Sequence, residues 1–350
     1  MYQDKKESLR MYAGDLSGLY GMRDFTFNEG RAKGVRAIDM RNGKGLECTV
    51  LVDRCLDLSY FSYKGVNIGL VNKVGISAPA FYKEDGLRGF LKQFNGGLLA
   101  TCGIIAAGAP SIVDGRAYGL HGDIGNLPAE NVNKFEQAAG NEVVLCISGD
   151  VREACVFGEN LILHRTICMR TEQNIIQVED VVENCGFARQ PLMNLYHYNF
   201  GYPMLDAGSK CYFSTTDVSP RDDNAKKHFS SYALMEAPEI GRPEECFVHT
   251  GGCGDQFAML HNEKLGLAVI VHYDADRMPF MCEWKCCLAG DYALGLEPSI
   301  AGFWGLEYAI EKGYVKYIQP GEKISLKTEI EIADNMEVID SYRSKCKEYN

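Results

Sequence analysis

The sequence predicts an all-β fold of large antiparallel sheets with few short helices. Apolar and polar residues alternate with a period of two in many segments, as in half-buried strands. Asn, Gly and Asp separate these segments at the spacing typical of sandwiches. Strands and helices do not alternate, so a doubly wound parallel sheet is not expected. A β domain of 350 residues requires two large sheets packed face to face.

Strands are predicted most clearly where this alternation is regular. KISLKTEIEI (Lys323–Ile332) alternates isoleucine and leucine with polar neighbours. LECTVLVDRCLDLSYFSYKGVNIG is predicted to form two strands joined at Tyr63-Lys64-Gly65. The pattern continues in NEVVLCISGD, NLILHRTICMR, NIIQVEDVVEN and LGLAVIVHYD. These segments therefore supply most of the predicted sheets.

Helices are predicted in only two places, residues 5–20 and LEYAIEKG (Leu306–Gly313). Segment 219–245 is the most polar and turn-rich part of the chain, and we expect it to form a long surface excursion. The sequence shows no internal repeat and no low-complexity linker. One domain covering residues 1–350 is therefore predicted.

The charge balance excludes some classes of partner. The chain has 36 basic and 47 acidic residues, a net charge of −11, and no basic stripe that would bind a phosphate backbone. No apolar run approaches the roughly 20 residues that span a bilayer. The N-terminal MYQDKKESLRMYAG lacks an apolar core of signal-peptide length. We therefore expect a cytoplasmic protein that binds neither nucleic acid nor membrane, while a neutral small ligand stays open.

Fourteen cysteines could suggest a disulfide framework, but the chain is much larger than disulfide-stapled domains. Cys146 in VVLCIS and Cys168 in RTICMR lie in apolar runs, where thiols act as small hydrophobes. The segment 282–287 (CEWKCC) comes nearest to a cluster, with no CxxC pair. A reduced protein without a structural metal is expected.

His197 lies between two tyrosines in NLYHYNFGYPMLD. One interpretation is a core histidine whose nitrogens bond to the backbone. The alternative is a histidine that meets a ligand. The neighbouring Asn194, Tyr196, Tyr198 and Asn199 favour a sugar, because aromatic faces pack on C–H surfaces while amides and hydroxyls bond to hydroxyl groups.

Two glycine-rich segments are further candidates. FNGGLLATCGIIAAG is neither a Walker loop nor a GxGxxG motif opening a helix. Its paired glycines let the backbone pass close to a ligand or to another strand. In YGLHGDIGN, His121 lies between glycines in a predicted tight turn. Such turns favour small residues, so His121 is either a ligand-binding residue or an exposed loop histidine.

Two acidic positions and an Arg–Asp pair complete the candidates. In LGLEPSIAGFWG, Glu297 precedes Pro298, and proline ends regular pairing, so we expect the carboxylate where a strand meets its loop. The alternative is a surface glutamate. Asp255, in GGCGDQFAMLHN, is by itself an ordinary strand entry. In DRCLDLSY, Arg54 and Asp57 are expected to form a structural pair.

In order along the chain, FNGG, GLHG, LYHYNFG, CGDQFAML and LGLEP resemble the motifs of the aldose 1-epimerase (galactose mutarotase) superfamily. The closing YIQPGEKISLKTEIEI is similar to the family's terminal Pro-Gly-Glu strand. The chain looks closest to a divergent bacterial branch of uncharacterised aldose 1-epimerase family proteins. The resemblance spans about residues 30–335 and implies a β-supersandwich, with the sugar in a groove across one sheet.

The resemblance implies an isomerase that interconverts the α and β anomers of a sugar. His197 would be the general acid that protonates the ring oxygen, and Glu297 the base that takes the proton from the anomeric hydroxyl. The residue types suit this chemistry, because histidine titrates near neutrality and desolvation raises the basicity of a carboxylate. Ring opening and closure by acid and base need no cofactor and no metal, and none is expected.

The resemblance also implies substrate-binding residues. His121 and Asp255 would hold hydroxyl groups and orient the ring. Asn95 stands where the main family has an arginine beside its glycine-rich segment. Trp284 is predicted either to stack on the sugar or to belong to the core. Arg54 would line the groove if DRCLDL ends there.

Two other functions stay open from the sequence. One is a non-catalytic carbohydrate-binding protein of the same fold, which would not need His197 and Glu297 to face each other. The other is an isomerase acting on a phosphorylated or acidic sugar, which would need a basic anchor from Arg54 or Lys285. The expected partner is a small-molecule sugar, and a homodimer is left open.

Overall fold

The computed structural model of the protein describes residues 2–346. Within that range the α-helices are α1 (Tyr2–Tyr12), α2 (Leu87–Leu91), α3 (Asp223–Lys227), α4 (Leu306–Lys312) and α5 (Met336–Arg343). The strands are β1 (Gly21–Thr26), β2 (Arg36–Arg41), β3 (Leu46–Leu51), β4 (Asp57–Tyr63), β5 (Val66–Asn67), β6 (Leu70–Val71), β7 (Gly96–Gly97), β8 (Leu99–Cys102), β9 (Ser111–Val113), β10 (Arg116–Tyr118), β11 (Glu130–Ala139), β12 (Glu142–Ala154), β13 (Asn160–Arg170), β14 (Ile175–Asn184), β15 (Gln190–Leu192), β16 (Leu195–Phe200), β17 (Lys210–Phe213), β18 (Asp217–Pro220), β19 (Glu245–Thr250), β20 (Asp255–Asn262), β21 (Leu267–Asp274), β22 (Phe280–Cys286), β23 (Ala293–Ser299), β24 (Lys316–Ile318) and β25 (Lys323–Ala333).

Three larger antiparallel sheets form the architecture. The eight-stranded sheet has the order β11-β12-β13-β14-β25-β21-β20-β17, and the six-stranded sheet the order β18-β19-β22-β23-β16-β8. A five-stranded sheet, β1-β2-β3-β4-β5, comes from the N-terminal part of the chain. The predicted all-β class with few short helices is confirmed. The predicted single domain of residues 1–350 stays a prediction, and Met1 and residues 347–350 lie outside the described range.

The regular alternations form strands where they were predicted. β25 begins at Lys323, and its inward residues Leu326, Ile330 and Ile332 are buried in the main hydrophobic cluster. NEVVLCISGD, NLILHRTICMR, NIIQVEDVVEN and LGLAVIVHYD fall in β12, β13, β14 and β21. Each strand buries its apolar face against residues of another sheet. The period-two alternation of apolar and polar residues therefore predicted these strands from the sequence.

The predicted single strand before Tyr63 is wrong. The chain breaks into β3 and β4 at residues 52–56, where Cys55 and Leu56 adopt left-handed backbone conformations, with φ of 56° and 55°. Both residues are fully buried. Because the turn is made of apolar residues within an apolar run, the sequence pattern did not distinguish it from a strand. The turn predicted at Lys64-Gly65 is present.

The helices agree with the predictions in part. α4 matches LEYAIEKG, and Gly313 ends it in the left-handed conformation that favours glycine. The N-terminal helix α1 ends at Tyr12 instead of reaching residue 20. α5, capped by the Asn335 side chain, was not predicted. Within residues 2–346, no helix has the length and apolar character to cross a membrane.

Tyr196 and Tyr198 on β16 face the core between the six- and eight-stranded sheets. The Tyr196 hydroxyl donates to Asp180 Oδ2 at 2.7 Å, and the Tyr198 hydroxyl lies 2.5 Å from Thr328 Oγ1. Both rings are fully buried. The expectation that these tyrosines would join His197 at a sugar is therefore wrong, because alternation along a strand puts them on the opposite face.

Two cysteines expected to be apolar thiols are bonded to each other. Cys146 and Cys168 are direct partners on β12 and β13 and form a disulfide. The remaining twelve cysteines are free. Burial raises the pKa of thiols such as Cys282 well above the ordinary value, so these buried thiols pack as small apolar groups.

Candidate active site

His197 and Glu297 lie on the same face of the six-stranded sheet, which we call the groove face. Their strands, β16 and β23, are antiparallel neighbours, with Tyr198 opposite Leu296. His197 and Glu297 are therefore opposite each other as well. The imidazole Nε2 is 3.2 Å from Glu297 Oε1, and the exposed fractions of the side chains are 6% and 2%.

Two polar atoms of this pair lack an aligned hydrogen bond. Among the residues whose side chains are described, His197 Nδ1 has no hydrogen-bond partner, and Glu297 Oε1 has the 3.2 Å contact with His197 Nε2 but no aligned hydrogen bond. Buried polar groups are ordinarily satisfied, and each exception calls for an explanation. A polar ligand over the pair would supply the missing partners.

Gly295 creates the space in which the pair meets. A Cβ at this position would lie 2.3 Å from Glu297 Oε1 and 3.2 Å from His197 Cε1. Any side chain there would displace the carboxylate from its place beside the imidazole. The glycine is thus required by packing, because its backbone is not in the left-handed region.

Gly295→Ala is expected to lower turnover by any reaction that uses the pair by about tenfold to a hundredfold, because displacing a reacting group by about 1 Å has an effect of this size. The variant should keep its fold, since the methyl group meets the end of a side chain. Turnover and thermal unfolding check this. Gly14→Ala is the matched control, because a Cβ at Gly14 meets nothing within 4 Å. An alanine at 295 that leaves turnover unchanged contradicts the assignment of the pair.

Burial favours the neutral form of both groups. It lowers the pKa of His197 well below the ordinary 6.5, and the nearby His121 lowers it further. Burial also raises the pKa of Glu297 well above 4.5, with Glu244 adding to the shift and Arg221 opposing it. Burial therefore favours the state in which Glu297 is protonated and His197 is neutral, and transfer of that proton over 3.2 Å would place it on the imidazole.

Aromatic rings cover the pair. The rings of His121, Phe94 and Trp284 lie 5.4, 5.4 and 5.5 Å from the His197 ring, centroid to centroid. Phe90, on α2, packs against His121 at 4.8 Å. The cavity enclosed beside His121 is only about 10 Å³. Because the His197 and Glu297 side chains are only 6% and 2% exposed, a sugar can contact both only if some of these rings move.

His121 is a half-buried residue of this aromatic cover, so the exposed-loop alternative is wrong. Its φ of 62° confirms the tight turn, and Nδ1 accepts the Gly108 N–H at 3.3 Å. Burial lowers its pKa to about 4. His121 is therefore neutral at pH 7, with its ring directed to His197.

Asn95 is buried beside the same small cavity. Its side-chain amide makes a long, 3.4 Å contact with the Gly96 carbonyl.

The two glycines that follow Asn95 were expected to let the backbone pass close either to a ligand or to another strand. A Cβ at Gly96 or Gly97 would lie 2.7 Å or 2.5 Å from the backbone oxygen of Leu70 or Leu58, so the glycines allow another strand to approach closely.

Arg54 lines the cavity with its guanidinium already bonded. The group donates to the carbonyls of Gly125, Ser77 and Gln93 at 2.7, 2.8 and 3.2 Å. Burial lowers its pKa to about 10. Arg54 thus ties three loops together around the cavity. The expected Arg54–Asp57 pair is not formed by the side chains, which are linked only through the Asp57 N–H to the Arg54 carbonyl at 2.8 Å, because the Asp57 carboxylate pairs with Arg165 instead.

The structure does not bring Asp255 or Lys285 to the pair. Asp255 is exposed and begins β20 in the eight-stranded sheet. Lys285 follows the groove-face Trp284 and so points to the opposite face, where it is fully buried. Its ammonium group lies 3.1 and 3.4 Å from Glu236 and Glu245. Lys285 is therefore not available to anchor an anion.

A buried ionic network holds the site-bearing strands in place. Arg165 is fully buried and bonds to Asp180 at 2.9 and 2.7 Å, and to the Thr101 hydroxyl at 2.7 Å. Asp57 accepts the Thr101 N–H and O–H at 3.0 and 2.6 Å. Tyr196, next to His197, donates to Asp180. The network thereby links β8 and β16 to the eight-stranded sheet.

Segment 219–245, predicted as a surface excursion, brings two residues to the groove face. Arg221 Nη2 donates to Glu244 Oε1 at 3.0 Å, and Trp284 Nε1 donates to Glu244 Oε2 at 2.8 Å. Neither Arg221 nor Glu244 belongs to a motif recognised in the sequence. Their only signal was a cluster of charges beside turn residues, which is shared by many solvent-exposed loops.

One group of side chains has the spacing of a metal site: His228, Glu236 and Glu245. Arg242 pairs with both carboxylates of this group, and Lys285 does the same. Two cations thus already balance the two acids. The donor set fits an internal ion-pair network better than a divalent cation.

A wider groove of about 600 Å³ lies on the five-stranded sheet. Within it Arg23 pairs with Asp39 at 2.9 Å, and Arg41 donates to the Ser17 carbonyl. Tyr60 is its aromatic residue, and its lining includes no histidine. The groove face of the six-stranded sheet is the better candidate, because it carries both an acid and a base.

Solved structures share this arrangement of sheets. A candidate aldose 1-epimerase from Klebsiella pneumoniae subsp. pneumoniae MGH 78578 has 22% identity and a TM-score of 0.87, covering 93% of this chain and 86% of that chain. A galactose mutarotase-like protein from Clostridium acetobutylicum has 13% identity and a TM-score of 0.65, with 91% and 100% covered. Galactose 1-epimerase from Lactobacillus acidophilus NCFM has 13% identity and a TM-score of 0.55, with 90% and 99% covered.

These similarities define the class, a protein with the galactose mutarotase-like fold. The resemblance inferred from the ordered motifs is thereby confirmed. The chain belongs to the family described as "Domain of unknown function (DUF4432)", whose model matches residues 32–332. No curated protein matches the chain.

Proposed function

We propose that the protein is an isomerase that interconverts the α and β anomers of a sugar by acid–base ring opening. One observation carries the proposal: a nearly buried imidazole and carboxylate lie 3.2 Å apart on the groove face. The ring oxygen and the anomeric hydroxyl of a sugar are bonded to the same carbon. The acid and the base that serve them must therefore be close neighbours, as these two groups are.

The mechanism uses the single proton of the pair. In the active form the proton is on His197, which donates it to the ring oxygen, while the Glu297 carboxylate takes the anomeric proton. The C1–O5 bond breaks and an open-chain aldehyde forms. Rotation about the bond to the aldehyde carbon, followed by the reverse transfers, closes the ring on either face. The pair ends with one proton, as it began.

The single titratable proton shared by His197 and Glu297 predicts the pH dependence of kcat/KM. When the pair takes up a second proton, that proton binds His197, whose pKa lies well below 6.5. When the pair loses its first proton, Glu297 becomes ionised, and its pKa lies well above 4.5. We therefore expect kcat/KM to fall on the acid side only well below pH 6.5. Polarimetry with the buffer rate subtracted measures this. A tenfold decline per pH unit as the pH is lowered from 6.5 would show that the pKa of His197 is not depressed and would contradict this expectation.

Access to the pair requires a change in its aromatic cover. Trp284 and Phe90 are half-buried, and Phe90 is part of the five-residue helix α2. Leu87 and Leu91 of this helix are 52% and 48% exposed, and Phe90 is its ring contact with Phe94 and His121. Movement of α2 would release these two rings, which lie against His197, and leave them to pack on the sugar.

The proposal is tested by the rate of α/β interconversion for a panel of neutral monosaccharides, followed by polarimetry or exchange NMR. The protein is expected to exceed the buffer rate for at least one sugar. If a sugar binds but is not interconverted faster than in buffer, the protein is a carbohydrate-binding protein of the same fold and the isomerase proposal is wrong.

A further inference from the structure

Arg221 and Glu244 lie at the end of the groove face away from His121. Arg221 follows β18, and its N–H donates to the Cys246 carbonyl at 2.9 Å. Cys246 is opposite Trp284, and Trp284 is opposite Gly295. Three strand spacings of about 4.8 Å put the backbone of Arg221 about 14 Å from that of Gly295. The long arginine side chain can bridge much of this distance.

The contacts of this pair fix it beside Trp284. Glu244 accepts from Arg221 and from the Trp284 indole, as described above. Arg221 Nε also donates to Asp222 Oδ2 at 2.9 Å, and its guanidinium lies 5.8 Å from the centre of the Phe303 ring. The Glu244 and Arg221 side chains are 47% and 30% exposed. They are therefore ordered but open to a ligand.

We propose that Arg221 and Glu244 select uncharged sugars by binding hydroxyl groups remote from the anomeric carbon; this inference rests on the proposed function. A guanidinium has five N–H donors and a carboxylate about four acceptor sites. The described contacts of the guanidinium use Nε and Nη2, so donors remain. A sugar hydroxyl both donates and accepts and can bond to both groups.

Charge explains why an anionic sugar is excluded. Arg221 faces two carboxylates, Asp222 and Glu244, so the group carries a net charge of −1. The charges of Glu244 and Arg221 both influence the pKa of Glu297, which places them within electrostatic range of the acid–base pair. A carboxylate or phosphate on the sugar would meet repulsion here. The other basic candidates, Arg54 and Lys285, are already bonded to protein groups.

Glu244→Gln tests the inference. The glutamine oxygen can still accept from Trp284, while the negative charge is gone. At low ionic strength we expect the affinity for D-galacturonate, relative to D-galactose, to rise about twofold to fivefold. The gain should shrink at high salt, because exposed charges are screened. Glu179→Gln is the matched control, since Glu179 is exposed on the eight-stranded sheet and pairs with Lys327 at 3.5 Å.

Binding is measured by saturation-transfer NMR and turnover by exchange NMR on the same samples. Turnover in the wild type with an unchanged affinity ratio in Glu244→Gln overturns the role of the pair and leaves the isomerase proposal intact. A shifted ratio without turnover of any sugar supports the role of the pair and contradicts the isomerase proposal. If neither galactose nor galacturonate binds the wild type, the selection inference is overturned.

Discussion

Glu297→Gln is expected to lower kcat for anomer interconversion by about 10²–10⁴-fold, the usual contribution of a positioned general base. The free energy of unfolding of this variant should not decrease, although its kcat does. Burial raises the pKa of Glu297 in the folded protein, so ionising it costs folding free energy as pH rises through the folded pKa. Glutamine has no charge to desolvate, and the free energy of unfolding at pH 7 should be unchanged or higher. Polarimetry and urea unfolding measure the two quantities.

Glu283→Gln is the matched control for this substitution. Glu283 forms a second histidine–glutamate pair, with its Oε2 2.9 Å from His249 Nε2, and both residues are fully buried. It lies on β22 opposite Phe247, on the core side of the sheet. We expect a loss of about 1–3 kcal/mol in stability and unchanged turnover per folded molecule. Equal loss of turnover in both variants would indicate a structural effect and contradict the role of Glu297.

His197→Gln is expected to have the second large effect. The amide can fill the space of the imidazole but cannot deliver a proton to the ring oxygen, so kcat should decline by about 10²–10⁴-fold. The double variant with Glu297→Gln should be no slower than the worse single variant, because acid and base act as a unit. His249→Gln is the control, and it should affect unfolding only. Multiplicative effects of the two substitutions would show that His197 and Glu297 act independently.

Period-two alternation was enough to predict the principal strands, because their two faces meet different surroundings. It failed at Cys55 and Leu56, where a left-handed turn is itself fully buried. The expectation that proline ends regular pairing was wrong at Pro298, which pairs with Met281 before β23 ends at Ser299. Local composition does not reveal such positions, because neighbouring strands determine them.

The candidate site was predictable only as an ordered set of motifs. His197, Glu297 and His121 are far apart in the sequence, and the sheet and its adjoining turn bring them together. Asp255 matched its motif equally well but lies exposed on the other large sheet. Arg221 could not be recognised, because its importance derives from its position beside β19 and not from its neighbours in the chain. Which face a residue occupies, and which strand lies next to it, are properties of the fold.

The most direct measurement is a crystal structure of Glu297→Gln with a bound neutral monosaccharide. We expect displaced cover rings, the ring oxygen within hydrogen-bond distance of His197 Nε2, and the anomeric hydroxyl at the residue-297 side chain. A sugar bound with its anomeric carbon directed away from both residues, or bound on another sheet while the pair stays covered, would contradict this expectation.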